Sequence, residues 1–161
     1  MLLLSLEFYH NKFFVLSGAH LVYGCLFLYM VSVLMSIDRM FFLLPDFFTI
    51  PLLVLGMTAA VFEASFVSIQ DAVLGAWFGY GICVVSVIVM RFFSNAEFGA
   101  GDAKMLTALG AWFGAMELNY ALVGSFVLFT IEAILNRCRI GAYGPALGVA
   151  SIATFFYMAL K

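Results

Sequence analysis

The chain carries nine carboxylates in 161 residues, and four of them stand in two tight groups. Asp38 and Asp46 lie in SIDRMFFLLPDFFTIP; Glu97 and Asp102 lie in EFGAGDAKML. Two carboxylates that meet in a partly dry site cannot both ionise easily, so one keeps its proton and the pair holds a base and an acid together. Such a pair titrates as a unit. It can draw a proton from water as that water attacks a peptide carbonyl, then protonate the leaving nitrogen. Other chemistries lack their residues. There is no G-x-S-x-G and no Ser/His or Cys/His set, and His10 and His20 fall near the outer end of the first apolar stretch. The acidic groups include no histidine, so no metal site and no cofactor is expected. Gly99 and Gly101 do not extend into a phosphate loop, which needs G-x-x-x-x-G-K-[ST], or into a dinucleotide fingerprint with a third glycine.

The elements that must position these acids are membrane helices. The sequence is 66% apolar and 10% charged, with a mean hydropathy of +1.15. A chain this small cannot bury so much apolar surface in a water-soluble core, so its solvent is the lipid bilayer. A net charge of −2 and the absence of a Lys/Arg run argue against a nucleic-acid partner. Six apolar stretches are candidate spans: Phe13–Met35, Phe47–Phe62, Ala72–Met90, Lys104–Met116, Tyr120–Leu135 and Gly144–Leu160. The expectation is an all-α bundle of about six transmembrane helices, one polytopic domain over residues 1–161 with no internal repeat. Arg39, Arg91, Lys104, Arg137 and Arg139 fall in or beside the connections after the first, third and fifth spans, whereas Glu63, Asp71 and Glu117 mark the others. The positive-inside rule makes the basic connections cytoplasmic and puts both acidic groups on that side. Cys25, Cys83 and Cys138 form no C-x-x-C pair and are expected to pack as small hydrophobes.

An ionisable group at membrane depth is expensive unless it meets water or a partner, which marks these acids for function. Asp46 has a local structural role open to it: Pro45 breaks the chain, so Asp46 begins a helix whose free N–H groups favour a carboxylate. Asp38, at the end of the first span, has none. Gly99 and Gly101 let the backbone turn tightly and let another chain approach Asp102.

These stretches resemble a known family. GAGDAKMLTALGAWFG, residues 99–114, is similar to the G-x-G-D-x-K-x-L-x-A-L-G-A-W-x-G signature of bacterial type IV prepilin peptidases, membrane aspartyl proteases of the G-x-G-D class. IDRMFFLLPDFFTIPLL, residues 37–53, resembles the family's I-D-x-x-x-x-x-L-P-D-x-x-T-x-P-L-L element. AYGPALGVA, residues 142–150, resembles its P-F-G-P-x-L-x-x-A element, with Ala142 and Tyr143 in place of the first two residues. The resemblance implies that Asp38 and Asp102 are the catalytic pair, with Asp46 the rival for the first position. It implies that Gly99 and Gly101 shape the active-site turn, and that Lys104 and Glu97 are its neighbours. The implied substrate is a type IV prepilin or pseudopilin, cut at the cytoplasmic face of the bacterial inner membrane between a basic leader and an apolar helix. Many relatives also carry paired C-x-x-C motifs and methylate the cleaved pilin; without those cysteines the expected activity is peptidase alone. Two rivals remain. One is another G-x-G-D intramembrane protease, which usually has a Y-D motif where this chain has Ile37–Asp38. The other is a non-enzymatic assembly or transport subunit, which leaves the glycine turn and the L-P-D element unexplained.

Overall fold

A computed structural model describes residues 18–93, 100–136 and 143–161. Five helices make up almost all of them: α1 (Gly18–Phe41), α2 (Asp46–Val61), α3 (Ile69–Phe93), α4 (Ala100–Asn136) and α5 (Tyr143–Leu160). The described residues contain no strand. Among the described residues, four helices are long and apolar enough to cross a membrane: α1, α3, α4 and α5. The protein is therefore an all-helical membrane protein. The helix α2 has 16 residues, about 24 Å at 1.5 Å per residue and shorter than the usual spanning length of about 20 residues.

Of the six stretches read from hydropathy, the second forms the short α2, and the fourth and fifth are continuous in α4. That element is not a straight rod. At Gly114 the backbone takes φ 74 and ψ 176, a left-handed conformation open to glycine at little cost. Contacts on either side show that the chain reverses there. Before the break, Gly79 packs against Leu106 and Gly75 against Gly110, so this half runs antiparallel to α3. After it, Glu117 pairs with Lys161 at 3.6 Å, Tyr120 packs on Tyr157, and Ser125 bonds Tyr143. The second half therefore runs antiparallel to α5. The same logic makes α1 antiparallel to α5, through Asp38 with Gly144 and Gly24 with Phe155. One end of the bundle thus gathers residues 38–46, 102–104 and 143–144; the other gathers 63–71, 114–117 and 161.

The crossing of α3 with α4 rests on a repeat that a reading by spans passes over. Leu74–Gly79 and Leu109–Gly114 are the same hexapeptide, LGAWFG, and each contains the G-x-x-x-G spacing that lets membrane helices approach closely. The two copies meet face to face. A Cβ at Gly110 would strike the carbonyl oxygen of Gly75, and one at Gly79 would lie 2.9 Å from the carbonyl carbon of Leu106. The two tryptophans part ways: Trp77 faces outward, whereas Trp112 is buried and donates its indole N–H to the Leu52 carbonyl of α2 at 2.8 Å. Trp112 can lie there because residue 56 is glycine; a Cβ at Gly56 would come 2.8 Å from the indole ring.

Phe27 of α1 sits at the centre. It is fully buried, with ring centroids 4.9 Å from Trp112, 5.6 Å from Phe113 and 4.9 Å from Phe155. Aromatic pairs at these separations add about 0.5–1.5 kcal/mol each beyond their burial, and they tie α1 to α4 and α5.

Candidate active site

Both acids that the sequence pairs, Asp38 and Asp102, stand at the same end on faces turned inward. The buried residues of α1 are Gly24, Phe27, Val31, Leu34 and Asp38, a three-four spacing that draws one stripe down the helix. Asp38 is the last member of that stripe and only 6% exposed. Hydropathy ends the first span at Met35, but α1 continues to Phe41. The carboxylate does not break the helix, because it has a partner inside the bundle. In α4, Asp102 precedes the buried Met105, Leu109 and Trp112 with the same spacing. Asp102 lies within range of the Asp38 charge.

The partner of Asp38 is the start of α5. Gly144 donates its backbone N–H to Asp38 Oδ2 at 2.9 Å, in a buried position. First-turn amides of a helix have no partner within it, so α5 offers Asp38 a free donor and the positive end of its dipole. Pro145 suits the same turn, where a missing N–H costs nothing. Residue 144 must also be small. A Cβ there would collide with Asp38 Oδ2 and lie 2.8 Å from its carboxyl carbon.

Behind this contact lies a polar chain. Ser125, fully buried, donates to the Leu122 carbonyl at 2.8 Å. Its Oγ is 2.6 Å from the Tyr143 hydroxyl, so Tyr143 is the donor in that pair. This fastens the first residue of α5 to the second half of α4, one position before the amide that holds Asp38. Tyr143 and, from α3, the buried Cys83 are both within range of the Asp102 charge. Gly144, Tyr143, Ser125 and Cys83 escape a search for acids. Gly144 had a signal: a glycine followed by proline marks a helix start, where amides are free.

Asp46 is placed differently. The helix α2 does begin there, after Pro45, but no side chain caps it. Asp46 instead pairs with Lys104, Oδ1 to Nζ at 2.5 Å, with both side chains about half exposed. That pair joins the starts of α2 and α4 at the rim, beside Leu44, which is buried against Gly101. A Cβ at Gly101 would lie 2.8 Å from that of Leu44, so this glycine serves a close approach. Glu97 and Gly99 lie outside the described residues. The arrangement therefore places a buried Asp38 and a partly buried Asp102 at one end, with a half-exposed ion pair beside them. A water held between the two carboxyls would have a proton acceptor and a proton donor within reach.

Comparison with known proteins supplies a family for the chain. Residues 25–134 match the type IV leader peptidase family. A prepilin leader peptidase/N-methyltransferase of Dichelobacter nodosus is 36% identical over 140 residues, 84% of this chain and 48% of that protein. Its counterpart in Escherichia coli K12 is 38% identical over 151 residues, 86% of this chain and 65% of that protein. The one in Neisseria gonorrhoeae is 36% identical over 111 residues, 66% of this chain and 38% of that protein. The chain spans about half the length of these relatives. No solved structure gives a significant match.

Proposed function

Because the chain belongs to the type IV leader peptidase family, we propose that it cleaves the leader from type IV prepilins or pseudopilins, using Asp38 and Asp102 as its catalytic pair. The observation that carries this reading is the placement of two carboxylates, 64 residues apart in sequence, at one end of the bundle with Asp102 in range of the Asp38 charge. One carboxylate accepts a proton from a water whose oxygen attacks the scissile carbonyl carbon. The tetrahedral intermediate then collapses: the carbon–nitrogen bond breaks, and the other carboxyl delivers its proton to the leaving nitrogen. The N–H of Gly144 fixes one oxygen of Asp38 throughout.

The bundle crosses the membrane six times, with the two halves of α4 and the short α2 each counted as one crossing. The end carrying the acids faces the cytoplasm of the inner membrane. Charge supports this orientation: Arg39 and Lys104 are at the carboxylate end, Glu63, Asp71 and Glu117 at the other, with Lys161 alone going against the trend among the described residues. A basic leader would lie in the cytoplasm and an apolar helix in the bilayer, with the scissile bond between them.

Co-expression with a prepilin, scored by the mobility shift on leader removal, tests the reading. Asp38→Ala and Asp102→Ala each abolish cleavage while the protein still inserts. Near-full cleavage by Asp102→Asn in a reconstituted assay would show the aspartyl mechanism to be wrong.

A further inference from the structure

The end that carries the carboxylates also carries an apolar lip. Met40, Phe41, Phe42 and Leu43, at the end of α1 and in the turn after it, are 62–74% exposed, and Phe47 at the start of α2 is 79% exposed. The turn is made at Phe42, whose φ of 51 is rare for an aromatic residue. The turn leaves Phe42 and Leu43 outside while Leu44 returns to the interior, 7% exposed. Such a backbone persists only when its surroundings over-determine it.

Water is a poor solvent for four consecutive exposed apolar side chains. The deep hydrocarbon is excluded for a different reason. Asp46, three residues beyond Leu43, forms its half-exposed ion pair with Lys104 at this same level, and the exposed Arg39 directly precedes the lip. Charges at that level need water or headgroups. Aromatic and aliphatic groups beside half-solvated charges fit one environment, the boundary between lipid headgroups and acyl chains.

We propose that Met40–Leu43, together with Phe47, is a lipid-interface anchor that sets the depth of the carboxylate pair in the membrane. The register is direct: the Phe42 N–H donates to the Asp38 carbonyl at 2.9 Å. The anchor therefore lies one helical turn beyond Asp38, about 6 Å along the axis. Seating the lip at the boundary holds Asp38 just beneath it, where an apolar helix leaving the bilayer becomes extended chain.

The test labels Phe42→Cys, and separately Leu43→Cys, with a nitroxide after Cys25, Cys83 and Cys138 are changed to alanine, in vesicles of phosphatidylethanolamine and phosphatidylglycerol. Collision with oxygen should exceed collision with a water-soluble nickel chelate, at a depth of about 5–10 Å below the phosphates. Free collision with the chelate would put the lip in water and overturn the proposal. Shielding from both reagents would overturn it too, by showing that protein, a second copy included, covers the lip. This measurement needs no activity, so it stands apart from the peptidase reading. A second arm rests on that reading: Phe42→Glu with Leu43→Glu should slow cleavage of a bilayer-embedded prepilin at least tenfold. Cleavage of a short leader peptide in detergent should stay within twofold. Equal loss on both substrates would mean that the lip shapes the site itself and does not set its depth.

Discussion

Replacing Gly144 with alanine tests how the carboxylate pair is held. The amide of Gly144 is 2.9 Å from Asp38 Oδ2, and an added Cβ would lie 2.8 Å from the carboxyl carbon, where ordinary contact begins at 3.4 Å. Either Asp38 or the start of α5 must therefore retreat by about 0.6 Å at the carbon and further at the oxygen. Neither has room, since Tyr143 is fastened to Ser125 and α1 is packed through Phe27. A displacement approaching 1 Å at a reacting group costs on the order of 100-fold in rate. The lost bond to a charged acceptor costs about 1.5–3 kcal/mol of stability. Steady-state cleavage of a purified prepilin in detergent should show kcat down about 100-fold with KM nearly unchanged. Thermal unfolding should follow a double-mutant cycle with Asp38→Ala. Removing the carboxylate first should make Gly144→Ala much cheaper, because only the Cβ of residue 38, 3.0 Å from the added methyl, is left in tight contact. A kcat within twofold of the parent, or strictly additive stability losses, would refute the positioning role.

Two further perturbations separate the neighbours from the pair. Asp46→Asn breaks an ion pair between half-exposed groups, an interaction worth about 0–1 kcal/mol. Cleavage rates should fall less than tenfold, and exchanging the charges (Asp46→Lys with Lys104→Asp) should recover most of the loss. Trp112→Phe loses a buried bond to the Leu52 carbonyl and should cost about 0.5–1.5 kcal/mol in denaturant titration. Trp77→Phe, at the matching place in the other hexapeptide but facing outward, should stay within about 0.5 kcal/mol.

Much of the site was legible in the sequence because its acids interrupt an apolar chain, and such an interruption needs a reason. The break at Pro45 and the helix start at Asp46 followed from proline geometry. What hydropathy could not supply was the difference between an acid that ends a helix and one that lies inside it. It closed the first span at Met35, whereas the Gly144 amide lets α1 carry Asp38 inside and run on to Phe41. The same blindness placed the turn between the fourth and fifth spans after Met116. The reversal is at Gly114, where the backbone needs φ 74, and Ala115 and Met116 already belong to the returning helix. The resemblance makes Lys104 only a neighbour of the active-site turn; its partner, Asp46, is 58 residues away and no local pattern points to it. The LGAWFG repeat was in plain view, but its sense came only from seeing the two copies pressed together.

That glycine crossing also divides the molecule mechanically. The first half of α4, which bears Asp102, meets α3 backbone to backbone at Gly75 and Gly110, and is bound to α2 by Trp112 and Lys104. Asp38 belongs to the other group, α1 with α5 and the second half of α4. Gly114 links the groups through the chain, and Phe27 against Trp112 and Phe113 forms the seam between them. The two aspartates therefore stand on different groups, and a peptide bound between them would touch both at once.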